Sequence, residues 1–479
     1  MYDNRDHIDF AHDNIRQLFA SLFFPTMLGM LFNMAFIFTD GIFVGHGIGG
    51  HGLAAINLIG PIMMLINGLG MMLGVGVSVV AAIHMAHGNV KAARINVTQA
   101  FIAGISLSVL MGTLCYLFPN SVLTLLGANG ELYPYAREYY VWFLPTCLLN
   151  MVTEIGLFVI RLDGSPRFAM LSNIIPAIVN GILDYIFIFP MHWGLMGASL
   201  ATDLGGLVGA GMVVYYMCFN TNTLKLYRLK MSATSLRLSA RNIGYMIRTG
   251  LSGFVGEIAV AVMMLTGNWV FNQHLGNNGV AAYSVSCYLF PLVYMIYSAV
   301  AASAQPIISF NHGSGERTRV QSTLRFSLLV AIGLGMAVSA LFYFFAPTIV
   351  SCFLNTDAPA YTLASKGLPY YATGFLFMAI NVCVVGYLQS VERSGLAILF
   401  TLLRGIVFLV AAFLVLPHFF TMPGLWLSVP AAEALTTMCI LFFVIKTDMR
   451  RNKTVILGTN LNLNNKILQK TQIYVNQTH

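Results

Sequence analysis

Residues 53–82 read LAAINLIGPIMMLINGLGMMLGVGVSVVAA, a run of thirty residues without one charged side chain. An α-helix of about 20 apolar residues is long enough to cross the roughly 30 Å of hydrocarbon in a lipid bilayer. A run of this length and composition therefore predicts a transmembrane helix rather than a strand or helix of a soluble core.

The composition of the whole chain extends this prediction. Of its 479 residues, 57% are hydrophobic and 9% are charged, whereas about a quarter of the residues in soluble domains are charged. The mean hydropathy is +0.76. We therefore expect an all-α integral membrane protein, because a helix satisfies its own backbone hydrogen bonds inside the bilayer.

Apolar runs bounded by Gly, Pro, Asn or charged residues predict twelve spans. We place the first six near residues 19–44, 53–82, 92–118, 133–160, 168–190 and 194–219. The second six follow near residues 243–273, 279–309, 320–346, 361–389, 395–417 and 424–446.

Basic residues are concentrated in alternate loops. They follow the second, fourth, sixth and eighth spans, as Lys91, Arg94, Arg161, Arg167, Lys225, Arg228, Lys230, Arg237, Arg241, Arg317 and Arg319. The loops at 45–52, 190–194, 274–278, 347–360 and 418–423 contain no Lys or Arg. Loops rich in Lys and Arg stay in the cytoplasm. We therefore predict a multi-pass protein of the inner (plasma) membrane with cytoplasmic end segments at 1–18 and 447–479, and we expect no nucleic-acid partner despite the net charge of +8.

The two halves of the chain look related. GLAA at 52–55 recurs as GVAA at 279–282, and Gly194-Leu195 before the sixth span matches Gly424-Leu425 before the twelfth. Many transporters are built from such internal repeats, with the substrate path between them. We therefore predict two related six-helix lobes, 19–219 and 243–446, around a central cavity and joined by a cytoplasmic linker at 220–242.

Four polar residues of the first lobe have similar predicted depths. Asp40, Asn180, Asp184 and Thr202 all lie about 7–15 Å from the outer ends of their spans, at a rise of 1.5 Å per residue. Their side chains would together offer two carboxylates, an amide oxygen and a hydroxyl, which suit Na⁺ or a shared proton. Two readings remain open, because Asp184 could instead hydrogen-bond within the bundle while Asp40 faces the aqueous mouth.

Three further residues are candidates for a role. Pro25 lies inside the first span, where the missing backbone hydrogen bond favours a kink that is either a hinge or a static bend. Glu257 and Arg404 both fall near mid-membrane, so they are predicted either to pair or to line the cavity independently.

The sequence offers no support for an enzyme. None of the seven cysteines has the paired spacing of a zinc or redox site, and no nucleophile or acid pair has a recognisable spacing. We therefore expect no cofactor, and we favour a gated carrier over a membrane-embedded enzyme or a channel.

The sequence resembles the multidrug and toxic compound extrusion (MATE) family from residue 19 to residue 446. The resemblance rests on TDGIFVG at 39–45, GLAA at 52–55, NGILD at 180–184, and GLMGA at 194–198 followed by Thr202. It implies that Asp40, Asn180, Asp184 and Thr202 form a first-lobe cation or proton site and that Pro25 is a bending residue. Glu257 matches an acidic position of some members, but 361–389 contains no Asp or Glu.

The resemblance also implies a function. Such a protein exports amphipathic, often cationic, small molecules through alternating access as Na⁺ or H⁺ enters. We expect a monomer whose partners are the substrate and the lipid bilayer. The alternative is a lipid-linked oligosaccharide flippase of the same superfamily, which would need a wide cationic cavity.

Overall fold

The computed structural model describes residues 8–128, 130–230 and 232–456, and these ranges are almost entirely helical. The first half of the chain contains α1 (Ile15–Gly47), α2 (Gly50–Ala86), α3 (Val90–Leu117), α4 (Pro119–Leu125), α5 (Leu132–Leu162), α6 (Pro166–Ile188) and α7 (Gly194–Tyr215), which ends in a π-helical turn at Tyr216–Asn220. The second half contains α8 (Ala233–Gly313), α9 (Arg317–Phe344), α10 (Ala346–Ser351), α11 (Pro359–Ala372), α12 (Gly374–Ser390), α13 (Ser394–Leu402), a π-helical turn at Leu403–Val407, and α14 (Phe408–Ile456).

These helices account for the twelve predicted spans. In the described part of the chain, nine helical segments are long and apolar enough to cross a membrane, and α11 and α12, bent by 45°, make a tenth. With 81 residues, α8 would be about 120 Å long if straight, which is several bilayer thicknesses. It reverses at Gly276 (φ 60°), and α14 reverses at Thr421 (φ 50°). Each reversal separates two spans, which confirms the predicted fold class.

Helix α8 begins within the segment predicted as the linker, 220–242. Helix α8 begins at Ala233, where the Ser232 hydroxyl accepts a hydrogen bond from the Ser235 amide at 3.2 Å. Such a cap stabilises a helix start, and no Gly or Pro interrupts the sequence from 233 to 242. The non-helical part therefore ends near residue 232.

The linker is attached to the first lobe. The Asp163 carboxylate accepts hydrogen bonds from the backbone amides of Asn222, Thr223 and Leu224 at 2.7–2.8 Å. It also accepts one from the Tyr216 hydroxyl at 2.9 Å. We call this end of the helix bundle the linker end and the opposite end, which contains Gly276 and Thr421, the far end.

Buried apolar side chains of the two lobes pack into one core in the linker-end halves of the described chain. The largest buried cluster joins residues such as Leu73, Val77 and Met151 of the first lobe to Met246 and Ile307 of the second. The far-end half of the first lobe has its own cluster, which contains no second-lobe residue. The lobes are therefore packed together at the linker end and have separate cores toward the far end.

Two contacts at the linker end join equivalent positions of the repeat. The Ser78 hydroxyl donates a hydrogen bond to the Gln305 side-chain oxygen at 3.0 Å, across a separation of 227 residues. Gly313, at the same offset from Ala86, lies so close that an added Cβ atom would be 2.9 Å from the Ala86 Cβ atom. A residue can touch its own counterpart only at the symmetry axis, so the pseudo-twofold axis passes between α2 and the second arm of α8.

Glycines allow the lobes to approach closely beside this axis. A Cβ atom at Gly250 would lie 1.8 Å from the Met72 carbonyl oxygen, and one at Gly76 would lie 2.1 Å from the Met246 carbonyl oxygen. Only glycine fits such a backbone contact. The close approach therefore fixes how α2 crosses the first arm of α8.

Candidate functional site

Helices α1 and α6 run side by side and bring the two predicted carboxylates together. Their contacts are in register, because a Cβ atom at Gly29 would lie 3.3 Å from the Asn173 amide nitrogen and the Phe43 ring lies 6.2 Å from that of Tyr185. In this register the side chains of Asp40 and Asp184 lie within hydrogen-bonding distance of each other. The structure therefore joins residues that are 144 positions apart in the sequence.

One oxygen of each carboxyl group has no donor. Asp184 is completely buried, and its Oδ2 atom accepts a hydrogen bond from the Asn180 amide at 2.9 Å. Asp184 Oδ1 and Asp40 Oδ1 are both buried without a hydrogen-bond partner. Asp184 thus bonds within its own helix, as one of the two open readings held, but this bond leaves the facing oxygens unsatisfied.

Two more polar side chains border the pair. The Thr202 hydroxyl donates a hydrogen bond to the Ala198 carbonyl oxygen of its own helix at 3.1 Å. Tyr139 of α5 is buried, and its hydroxyl lies within hydrogen-bonding distance of Thr202 and close to both carboxyl groups. The sequence reasoning missed Tyr139, because one buried tyrosine among 21 carries no signal of its own.

This arrangement is suited to a proton or a small cation. Two ionised carboxylates in contact repel each other strongly, so an apolar site tolerates them only with a proton or cation between them. Carboxylate, amide and hydroxyl oxygens are the hard ligands that a small cation prefers. The buried oxygens Asp40 Oδ1 and Asp184 Oδ1 are available to such an ion, because neither has a hydrogen-bond donor.

Asp203 of α7 is a further buried acidic residue of the first lobe. Its Oδ1 atom accepts a hydrogen bond from the Thr146 hydroxyl of α5. Neither oxygen of Asp203 is among the buried atoms without a hydrogen-bond partner in the described residues, whereas one oxygen of Asp40 and one of Asp184 are.

Pro25 lies within α1, which has helical backbone from Ile15 to Gly47. Its ring removes one helical hydrogen bond, and its side chain is half-buried. A role as hinge or bending residue stays a prediction.

The predicted pair of Glu257 and Arg404 is not formed, because Arg404 pairs with Glu433. The Arg404 Nε and Nη2 atoms donate hydrogen bonds to Glu433 Oε1 at 3.0 and 2.7 Å. Both side chains are buried. Glu433 is further bound by the Asn381 amide, which donates to its Oε2 atom at 2.7 Å.

The rotation of α8 explains why Glu257 does not take part. Successive residues of a helix point about 100° apart. Gly256, Ala259 and Val260 line the same cavity as Arg404, so Glu257 lies on another face. It packs there against α2, where a Cβ atom at Gly68 would lie 3.3 Å from its own, and it lies near Glu154 of α5.

Two cavities adjoin the Arg404–Glu433 pair. The first lies inside the second lobe, spans about 390 Å³ including its opening to solvent, and is lined by both members of the pair. The second spans about 570 Å³, also including its opening to solvent, and reaches Met71, Val75 and Phe158 of the first lobe. Tyr294, Thr401 and Arg404 line both cavities and so form the boundary between them.

Known proteins resemble this chain along most of its length. The multidrug export protein MepA of Staphylococcus aureus (strain MRSA252) is 23% identical over 421 residues, which are 88% of this chain and 91% of that protein. The outward-facing structure of a multidrug resistance MATE family transporter superposes with a TM-score of 0.83 at 22% identity, over 91% of this chain and 97% of that one. A MATE crystal structure in complex with MaD3S gives 0.84 at 21% identity, over 92% and 98%.

The family model named MatE matches the chain twice, at residues 25–186 and 254–414. One match lies in each lobe, at nearly the offset of the internal repeat. Together they cover most of the chain, and the structural similarities support the same two-lobe fold. The chain therefore belongs to the MatE family of multidrug efflux transporters.

Proposed function

We propose that this protein is a secondary active antiporter that exports amphipathic or cationic drugs or metabolites while Na⁺ or H⁺ moves inward. The coupling ion binds in the first lobe at Asp40 and Asp184, with Asn180 and Thr202 beside them. The observation that carries this proposal is the buried contact of two carboxyl groups, each with one unpartnered oxygen. In a multidrug efflux protein, such a contact is a site for a reversibly bound cation.

Binding of the ion would change which arrangement of the lobes is favoured. An empty pair of carboxylates resists close packing of α1 against α6, whereas a bound proton or Na⁺ removes the repulsion. A ligand shifts a conformational equilibrium by its difference in affinity for the two states. The ion thus biases the movement of α1 relative to α6, and α1 in turn contacts the second lobe, where the Phe19 and Phe326 rings are 5.3 Å apart.

The proposal places the linker end in the cytoplasm of a cell whose inner membrane the protein spans. Loop charge supports this orientation. The lobes, joined at the linker end, would then be closed toward the cytoplasm and open toward the outside. A single chain contains both lobes and the whole site, so we propose a monomer that needs no cofactor.

The cavities favour an exporter over a lipid-linked oligosaccharide flippase. A flippase for an anionic lipid-linked sugar would need excess positive charge along its cavity. Arg404 is the one basic side chain that lines the two cavities described above, and Glu433 already neutralises it.

Everted membrane vesicles that contain the Asp40→Asn variant test the proposal. The vesicles are given a Na⁺ gradient alone or a pH gradient alone, and uptake of the amphipathic cation ethidium is followed by fluorescence. We expect one gradient to drive uptake by the unchanged protein, and the variant to be at least about tenfold slower because one of the two facing carboxylates is lost.

Glu131→Gln is the matched control, because Glu131 is an exposed far-end carboxylate outside the site. This variant should transport as the unchanged protein does. Equal amounts of each variant in the membrane exclude failure of insertion. Unchanged gradient-driven uptake by Asp40→Asn would contradict the proposal.

A further inference from the structure

The second lobe contains a buried carboxylate, Glu433, that resembles Asp184 in accepting an amide hydrogen bond at one of its oxygens. At Asp184, one carboxylate oxygen accepts an amide hydrogen bond from Asn180 and the other has no partner. At Glu433, one oxygen accepts an amide hydrogen bond from Asn381. The other, Oε1, accepts both hydrogen bonds of the Arg404 guanidinium. The guanidinium thus satisfies the second oxygen of Glu433, whereas the second oxygen of Asp184 has no donor.

The internal repeat relates Arg404 to a residue of the first-lobe site and Glu433 to an acidic residue of the neighbouring helix α7. Alignment of Gly181 with Gly405 puts Arg404 at the position of Asn180. Alignment of Gly194-Leu195 with Gly424-Leu425 puts Glu433 at the position of Asp203. The second lobe therefore retains an acidic residue on its last helix and carries a permanent cation where the first lobe has a neutral amide.

We propose that the Arg404 guanidinium permanently occupies the cation position of a latent second ion site whose ligand is Glu433. Ion coupling is thereby confined to the first lobe, and a neutral residue at 404 opens the second lobe to Na⁺ or H⁺. The proposal rests on the assignment of the coupling ion to Asp40 and Asp184.

Fixed charges around Glu433 support this assignment. Arg404 is 8% exposed and Glu433 is 3% exposed, so water screens the pair weakly. Three tyrosines with neutral side chains also lie near Glu433, namely Tyr294, Tyr297 and Tyr371. Glu257 lies near Tyr294 as a further acidic group. Arg404 also lies over the Tyr294 ring, 5.6 Å from its centroid. Arg404 is thus the cation that compensates the charge of Glu433.

The cavity gives a cation both space and a path once the guanidinium is removed. Glu433 and Arg404 line the 390 Å³ cavity, and Arg404 stands at its boundary with the cavity that reaches the first lobe. A shorter neutral side chain at 404 joins the two spaces. Glu433 Oε1 would then be open to the cleft between the lobes.

Cation binding to purified full-length protein in detergent tests the proposal. One arm measures ²²Na⁺ bound per chain at fixed pH, and the other measures protons taken up on a downward pH step in Na⁺-free buffer. In the arm that reports the coupling ion, we expect one cation per chain for the unchanged protein and none for Asp184→Asn. Asp184→Asn combined with Arg404→Asn should again bind one cation, and adding Glu433→Gln should abolish it.

The outcomes separate this inference from the proposed function. If Asp184→Asn still binds a cation that only Glu433→Gln removes, Arg404 does not fill the second site and the inference is wrong. If Asp184→Asn binds none and the Arg404→Asn combination also binds none, the inference is wrong while the proposed function stands. Cation binding that neither Asp184→Asn nor Glu433→Gln affects would overturn the proposed function itself.

Two variants cover the case in which Arg404→Asn does not fold. Arg404→Gln leaves a longer neutral side chain and should also give one bound cation in the Asp184→Asn background. Arg404→Lys keeps the positive charge and should give none. If Arg404→Lys binds a cation as Arg404→Gln does, the charge at position 404 is irrelevant and the inference fails.

Discussion

Each lobe has a buried polar centre with a carboxylate, and the two centres differ in whether the carboxylate oxygens are hydrogen-bonded. In the first lobe, Asp184 faces Asp40, and neither of the facing oxygens has a donor. In the second lobe, Glu433 faces Arg404, and both of its oxygens are hydrogen-bonded. The second arrangement is complete without a bound ion, whereas under the proposed function the first takes up a mobile cation or proton. On that proposal, one half of the duplicated fold couples transport to an ion and the other contributes stability.

The largest expected effect is a difference in unfolding free energy between variants of the two centres. Glu433→Gln leaves the Arg404 guanidinium buried without its counter-charge, which should cost about 3–5 kcal/mol of unfolding free energy. The equivalent change at Asp184, carboxylate to amide, should cost less than about 1 kcal/mol, because Asp184 Oδ1 has no donor to lose. Thermal unfolding of both variants in detergent measures the difference.

Replacement of both members of the second-lobe pair provides a control. Arg404→Leu with Glu433→Leu leaves no buried charge and should recover most of the lost stability. Equal destabilisation by Glu433→Gln and Asp184→Asn would show that the two centres do not differ in this way.

The second prediction concerns a variant that places an arginine in the first lobe, at the position that Arg404 has in the second. Asn180→Arg places a guanidinium next to Asp184, at the position that Arg404 has in the repeat, and should displace the coupling ion. We expect the affinity for that ion to fall more than about tenfold, which is about 1.4 kcal/mol, and gradient-driven ethidium uptake to fall with it. Radiolabelled Na⁺ binding and proton uptake are the direct measurements.

Asn180→Gln is the matched variant, since it lengthens the side chain but keeps the amide and adds no charge. It should keep more of its ion affinity than Asn180→Arg. An Asn180→Arg protein that binds its ion as the unchanged protein does would remove the basis for the comparison.

The smallest expected effect concerns the contact between equivalent positions of the two lobes. Ser78→Ala removes the hydrogen bond to Gln305 at the pseudo-twofold axis, which should cost about 1 kcal/mol of unfolding free energy. Ser106→Ala on the exposed face of α3 is the control and should change stability little. A Ser78→Ala protein as stable as this control would show that the axial contact does not hold the lobes together.

The sequence was sufficient to predict the fold because the length of each apolar run corresponds to the length of a membrane-spanning helix. The run at 53–82 corresponds to Gly50–Ala86, and the run at 133–160 corresponds to Leu132–Leu162. The bend of 45° between α11 and α12 was not predicted. It occurs at Thr373, next to Gly374, in a segment whose apolar composition continues without a break.

The sequence predicts the depth of a residue in the membrane, and this was enough to predict the candidate site only where residues of similar depth are also in contact. Asp40, Asn180 and Asp184 have similar depths, and the structure brings them together as expected. Similar depth did not predict the partner of Arg404 correctly, because the direction of a side chain also depends on the rotation of its helix and on its neighbours. Glu433 was visible in the sequence as an acidic residue inside a predicted span, but its position along the chain did not indicate that it pairs with Arg404.

The contact between Ser78 and Gln305 has a consequence for how a duplicated protein can improve on a homodimer. In a symmetric homodimer, a residue on the axis meets an identical copy of itself. Two serines at this position would be too short to reach each other, and two glutamines would need more room. Joining both copies in one chain lets the two axial positions diverge, so that a short donor can face a long acceptor. A single chain with two repeats can therefore place two different residues at the axis, which two identical subunits cannot do.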